Sequence, residues 1–87
     1  MNPSDIRAIF QDELGRIAPE VDFEAIDVEA DLREQVDIDS MDFLNLVTAL
    51  HARLGVDVPE TDYPKLATLK GALAYLEQRA PPGNTAG

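Results

Sequence analysis

The sequence predicts an all-α fold, a small four-helix bundle of three main helices and one short helix with a long first loop. Three observations predict it. Apolar residues recur at three- and four-residue spacings in three separate stretches. No stretch alternates for long enough to pair as a sheet. With 87 residues and no cysteine, the chain must be stabilised by helices packing on one another rather than by disulfides or a thiolate metal site. A chain of this length forms one domain. Residues 1–80 are read as that domain and 81–87 as a flexible C-terminal tail, which lacks apolar residues to bury.

The first helical pattern follows Pro3-Ser4-Asp5, with Ile6, Ile9, Phe10, Leu14 and Ile17 on one stripe. Ser4 or Asp5 is the expected cap. Ala18-Pro19 is the expected end, because proline disfavours helix in the residue before it. From Glu20 to Asp39 the pattern changes to a loop. Among its acids, Glu20, Asp22, Glu24, Asp27, Glu29, Asp31, Glu34, Asp37 and Asp39, the only basic residue is Arg33. Acids in such a run usually form a solvated surface. Val21, Phe23, Ile26, Val28, Leu32, Val36 and Ile38 are interleaved with them and are expected to pin the loop to the core. Loops this long within a small domain are uncommon and often functional.

Asp39 or Ser40 starts the strongest helix, with Phe43, Leu46, Val47, Leu50 and Leu54 on its stripe and Gly55 just past its end. An acid at the cap, Asp39, and another three residues on, Asp42, suit the positive end of the helix dipole. Pro59 and Pro64 bracket Glu60-Thr61-Asp62-Tyr63, read as a helical turn or a 3₁₀ piece. Thr68 then caps a last helix carrying Leu69, Ala72, Leu73, Tyr75 and Leu76.

Charge narrows the partners. With 17 acidic and 7 basic residues the net charge is −10, which repels phosphate backbones and anionic lipid surfaces. No nucleic acid partner and no membrane insertion are expected, and a protein with a basic docking patch is the favoured partner. The sequence shows no basic and apolar leader and no run of about 18 apolar residues. A soluble, cytoplasmic monomer is the expectation.

Asp39-Ser40-Met41 at the start of a helix resembles the Asp-Ser-Leu signature of the acyl carrier proteins and the related peptidyl carrier domains. Leu54-Gly55-Val56-Asp57-Val58-Pro59 resembles the family's link from its second helix into the short third one. Thr68-Leu69 with Leu73 and Leu76 resembles its capped fourth helix. The likeness runs from Asp5 to about Leu76. It implies that Ser40 is the attachment point of a covalent 4′-phosphopantetheine arm, added from coenzyme A by a phosphopantetheinyl transferase. It also implies that the chain is not an enzyme but a carrier, holding acyl or aminoacyl cargo as a thioester. Loading enzymes and client biosynthetic enzymes are then its partners. Asp39 and Met41 are, by the same resemblance, read by those enzymes together with Ser40, and Asp42 and Asn45 lie beside them on the exposed side of the helix. Acyl, aminoacyl and polyketide carriers all share this pattern.

Rival readings are weighed by geometry. An Asp-Ser pair before a helix is commonly just a cap, which leaves an unmodified acidic interaction module as the alternative. A hydrolase pairing Ser40 with His51, the only histidine, places the two about 16 Å apart along the axis, outside hydrogen-bond reach. No metal site is expected, since His51 has only carboxylates for companions. Phe43, three residues after Ser40, belongs by periodicity to the core but is also positioned to line a pocket for the start of a cargo.

Two departures from the family stand out. Typical fatty-acid-synthesis carriers are acidic along the exposed face of the second helix, whereas here that face offers Asp42, Asn45, Thr48, His51, Ala52 and Arg53. That predicts a specialised carrier serving different clients from the housekeeping synthase. Asp37-Ile38 also stand where many members have a glycine before the signature, implying a more rigid approach to the helix.

Overall fold

The computed structural model describes residues 2–80, so the expected flexible tail at 81–87 lies outside the described residues. Helix α1 runs Pro3–Ile17. Its cap is Asn2 rather than Ser4 or Asp5: Asn2 Oδ1 accepts the Asp5 amide at 2.9 Å. Pro3 fills the first helical position, where an amide hydrogen has no intrahelical use. Ile6, Phe10 and Leu14 are buried, and Ile9 and Ile17 pack half-buried against the core. The helix stops at Ala18, as the following proline requires.

The loop is more structured than its charge suggests. It holds a 3₁₀ turn at Phe23–Ala25 and a one-turn helix α2 at Leu32–Gln35. Three of its acids fold it locally: Asp22, Asp27 and Asp31 accept the amides of Glu24, Glu29 and Arg33 at 3.2, 3.0 and 2.8 Å. Gln35 closes the bend, accepting the Asp27 amide and donating to the Asp27 and Ala30 carbonyls. Phe23, Leu32, Val36 and Ile38 are buried, as expected, and Val21 and Ile26 are half-buried against the core. Val28 departs from that expectation and is 39 % exposed. Its attachment is through the backbone, where its carbonyl accepts the Lys70 amide at 2.9 Å. Beside it an isolated antiparallel bridge joins Asp31 to Thr68.

Helix α3 spans Ser40–Leu54 and buries Leu46, Val47, Leu50 and Leu54. Gly55 ends it with φ +72°, the left-handed conformation that glycine adopts without strain. The short 3₁₀ helix covers Glu60–Leu66 and continues through Pro64, beyond the expected single turn. Helix α4, Leu69–Arg79, is capped by Thr68, whose Oγ1 accepts the Gly71 amide at 3.0 Å. At Gly71 any Cβ would stand 2.6 Å from the Lys65 carbonyl oxygen, so only glycine lets α4 approach the 3₁₀ helix this closely. The three long helices and the Glu60–Leu66 helix make the predicted bundle. Helix α1 packs on both α3 and α4, while α4 also packs on the 3₁₀ helix.

Two polar clusters join the helices. Arg53 of α3 donates to Asp12 and Glu13 of α1 at 2.6 and 2.8 Å. On the other side, Asp62 accepts the Tyr75 hydroxyl at 2.6 Å and lies 3.4 Å from both Lys65 and Arg79. No helix among the described residues is long and apolar enough to cross a membrane.

Candidate functional site

Ser40 is the first residue of α3, and it is exposed. The position follows from the residues around it. Ile38 is buried and its amide donates to the Val36 carbonyl at 2.8 Å, which anchors the approach. Asp39 is extended and forms a reciprocal capping box: its Oδ1 accepts the Asp42 amide at 2.9 Å, and Asp42 Oδ2 accepts the Asp39 amide at 3.3 Å. Among the described residues the Ser40 and Met41 amides have no acceptor, as the first turn of a helix leaves them. Arg33 Nη2 donates to Ser40 Oγ at 3.2 Å, reaching back from α2.

A cleft of about 500 Å³ opens at Ser40 between α2, α3 and the 3₁₀ helix. Phe43 and Tyr63 meet edge to face within its lining, ring centroids 5.6 Å apart at 74°. Phe43 thus fills both roles foreseen for it, packing on the core while lining the cleft. Arg33, Asp31 and Glu60 add charges of both signs. A smaller hollow of about 330 Å³ lies between the end of α1 and the loop, shares none of these residues and is lined by no hydroxyl or thiol side chain.

Met41 is 65 % exposed, and Leu44 is 43 % exposed. Leu44 was not anticipated. The signal was present in its spacing, four residues after Ser40 and therefore on the same face. Asn45 is exposed, whereas Asp42 is half-buried with its carboxylate committed to the cap. His51 is exposed on the same unbroken helix, so its separation from Ser40 stands. No group of three potential metal ligands occurs among the described residues.

Arg53 corrects one expectation. It was counted on the open face of α3, but its guanidinium turns onto α1. The hydrogen bonds to Glu13 and then Asp12 raise its pKa, and the bond from Arg53 holds the Asp12 carboxyl below its ordinary value. Between α2 and Arg53 the exposed α3 surface is consequently Met41, Leu44, Asn45, Thr48, His51 and Ala52.

Fold and site together define a small acidic helical bundle that presents the Ser40 hydroxyl at the start of α3, beside an amphipathic cleft. Residues 4–76 match the phosphopantetheine attachment site family. The chain is similar to an acyl carrier protein of Thermosynechococcus vestitus, 32 % identical over 83 residues, covering 91 % of this chain and 96 % of that one. An acyl carrier protein of Campylobacter curvus is 31 % identical over 74 residues, covering 85 % and 90 %. One from Campylobacter hominis is 27 % identical over 73 residues, covering 84 % and 86 %. This chain belongs to the phosphopantetheine-binding acyl carrier family. Members carry a covalent 4′-phosphopantetheine and act as carriers, not catalysts. The residues here fit such a group: an exposed hydroxyl to bear it, a guanidinium 3.2 Å from that oxygen and a cleft beside it.

Proposed function

We propose that this protein is a freestanding cytoplasmic carrier, with residues 1–80 as its carrier domain and Ser40 as the attachment residue. The observation that carries this reading is the exposed Ser40 hydroxyl at the capped start of α3, beside the cleft.

In the attachment step Ser40 Oγ attacks the coenzyme A phosphorus that bears the pantetheine. The Oγ–P bond forms, the P–O bond to adenosine 3′,5′-bisphosphate breaks with its electron pair, and the hydroxyl proton passes to a base of the transferase. Asp39 holds Ser40 at the helix start by capping, so the hydroxyl faces solvent. Once attached, the arm supplies a thiol that holds acyl or aminoacyl cargo as a thioester for loading and client enzymes. Asp39, Met41, Asp42 and Asn45 surround Ser40 as the surface those partners read, and exposed Met41 adds apolar area there.

Intact mass after incubation with coenzyme A and a promiscuous transferase tests this. One arm is expected on the wild type and none on Ser40→Ala. A wild type that keeps its starting mass with several transferases leaves the unmodified interaction module in its place. The clients are proposed to belong to a dedicated lipid, polyketide or amino-acid pathway, because Asn45, Thr48 and His51 occupy the α3 face where acids would serve the housekeeping synthase. Processing by a general malonyl transferase and housekeeping ketosynthase at the rate of a standard carrier would remove that part.

A further inference from the structure

We propose that Arg33 is a dedicated phosphate-binding residue of the carrier, clamping the phosphodiester that links the arm to Ser40. The inference rests on the attachment reading above and goes beyond it by assigning a residue outside the helix start.

Arg33 Nη2 already donates to Ser40 Oγ at 3.2 Å, and both side chains line the same cleft. In the modified protein the phosphorus would be bonded to that oxygen, and its two non-bridging oxygens, which share one negative charge, would lie one bond further. A guanidinium in this position meets them with a planar fork of donors, the geometry that makes arginine a bidentate phosphate ligand. Position is fixed from behind, because Asp31 caps α2 through the Arg33 amide at 2.8 Å and Leu32 is buried. Arg33 therefore leaves a short, anchored helix rather than a free loop.

Charge gives the second line of support. Arg33 is the only cation between Glu20 and Asp39. Asp31 and Glu60 line the cleft, and Asp39 and Asp42 flank the serine. Of the charged residues around a phosphodiester placed there, Asp31, Glu60, Asp39 and Asp42 repel it and Arg33 attracts it, as do the unpaired amides of the first turn. No carboxylate forms an ion pair with the Arg33 guanidinium among the described residues; of the other cations Lys70 also has none, whereas the other four arginines, Arg7, Arg16, Arg53 and Arg79, are each paired. In this acidic chain, Arg33 is the arginine kept available for an anion from elsewhere.

The test compares apo and holo forms of the wild type, Arg33→Gln and Arg33→Lys, each made with coenzyme A and a promiscuous transferase and confirmed by intact mass. Arg33 is exposed, so the variants keep the fold. In the wild type at low salt, attachment is expected to leave Tm unchanged or raise it. In Arg33→Gln attachment is expected to lower Tm by about 2–4 °C, and Arg33→Lys should fall between. The difference should vanish near molar salt. The phosphodiester ³¹P resonance should move between wild type and Arg33→Gln, and the Arg33 side-chain N–H resonance should shift on attachment. A clean mass gain with the same holo-minus-apo Tm and the same ³¹P shift in all three proteins overturns the clamp and leaves the attachment reading intact. No mass gain on the wild type overturns both.

Discussion

The two ends of α3 are built on opposite principles. At its start, the cap residues are bonded to one another, Asp39 to Asp42, and Ser40 and Met41 face solvent. At its finish, Leu50 and Leu54 are buried and Arg53 is fastened to Asp12 and Glu13 of α1. One end is closed by local chemistry and open to solvent; the other is closed by tertiary contacts. An exposed residue can thereby keep a fixed position, because its helix is held at the opposite end.

The largest perturbation attacks the anchored end. Leu50 is 2 % exposed, and Leu50→Ala is expected to destabilise the fold by about 2–5 kcal/mol in urea titration. A loss below about 1 kcal/mol would mean that this end is not the anchor. Asp39→Ala attacks the open end and removes a cap, at a cost of about 0.5–2 kcal/mol. Its signature is spatial: amide exchange should quicken at Asp42 and Phe43 before Leu50. Uniform acceleration would erase the distinction between the ends.

Acid titration should give the smallest effect. Hydrogen bonding from Arg53 lowers the Asp12 pKa, and the Tyr75 hydroxyl does the same for Asp62. A carboxyl depressed in the folded state contributes stability above its ordinary value of 3.8 and loses it as pH falls through the folded value. Tm should therefore be level near neutrality and drop below about pH 4. Arg53→Met should soften the drop, and an unchanged acid limb would show that the Asp12 contact adds nothing. Tyr75 sets the alkaline limb: burial and then Asp62 raise its pKa, so its contribution disappears only as pH climbs above the usual tyrosine value of 10.0.

What could be read in advance was whatever is settled within a turn or two of chain. The stripes of α1, α3 and α4, the Thr68 cap, the Asp39–Asp42 pair and the Gly55 stop all depend on neighbours in sequence. The Asn2 cap was overlooked because Ser4 and Asp5 are equally good cap residues, and only the helical geometry of Pro3 decides among them. Arg53 is exposed, as its spacing on α3 predicts, but its guanidinium is directed onto α1. Helical spacing gives a direction around the axis, but a long guanidinium follows its partners, and Asp12 and Glu13 lie some forty positions away in sequence. The Arg33–Ser40 contact was hidden likewise, because it spans a turn of α2 that the charge pattern disguised as plain loop.

Gly71 carries a consequence for what this carrier can hold. The 3₁₀ helix that supplies Tyr63 and Glu60 to the cleft rests, through the Lys65 carbonyl, directly on that glycine. The far wall of the trough beside Ser40 is thus set back by the absence of a single methyl group on α4. Under the carrier reading proposed above, the room beside Ser40 would then be tuned by a residue that does not line the cleft at all.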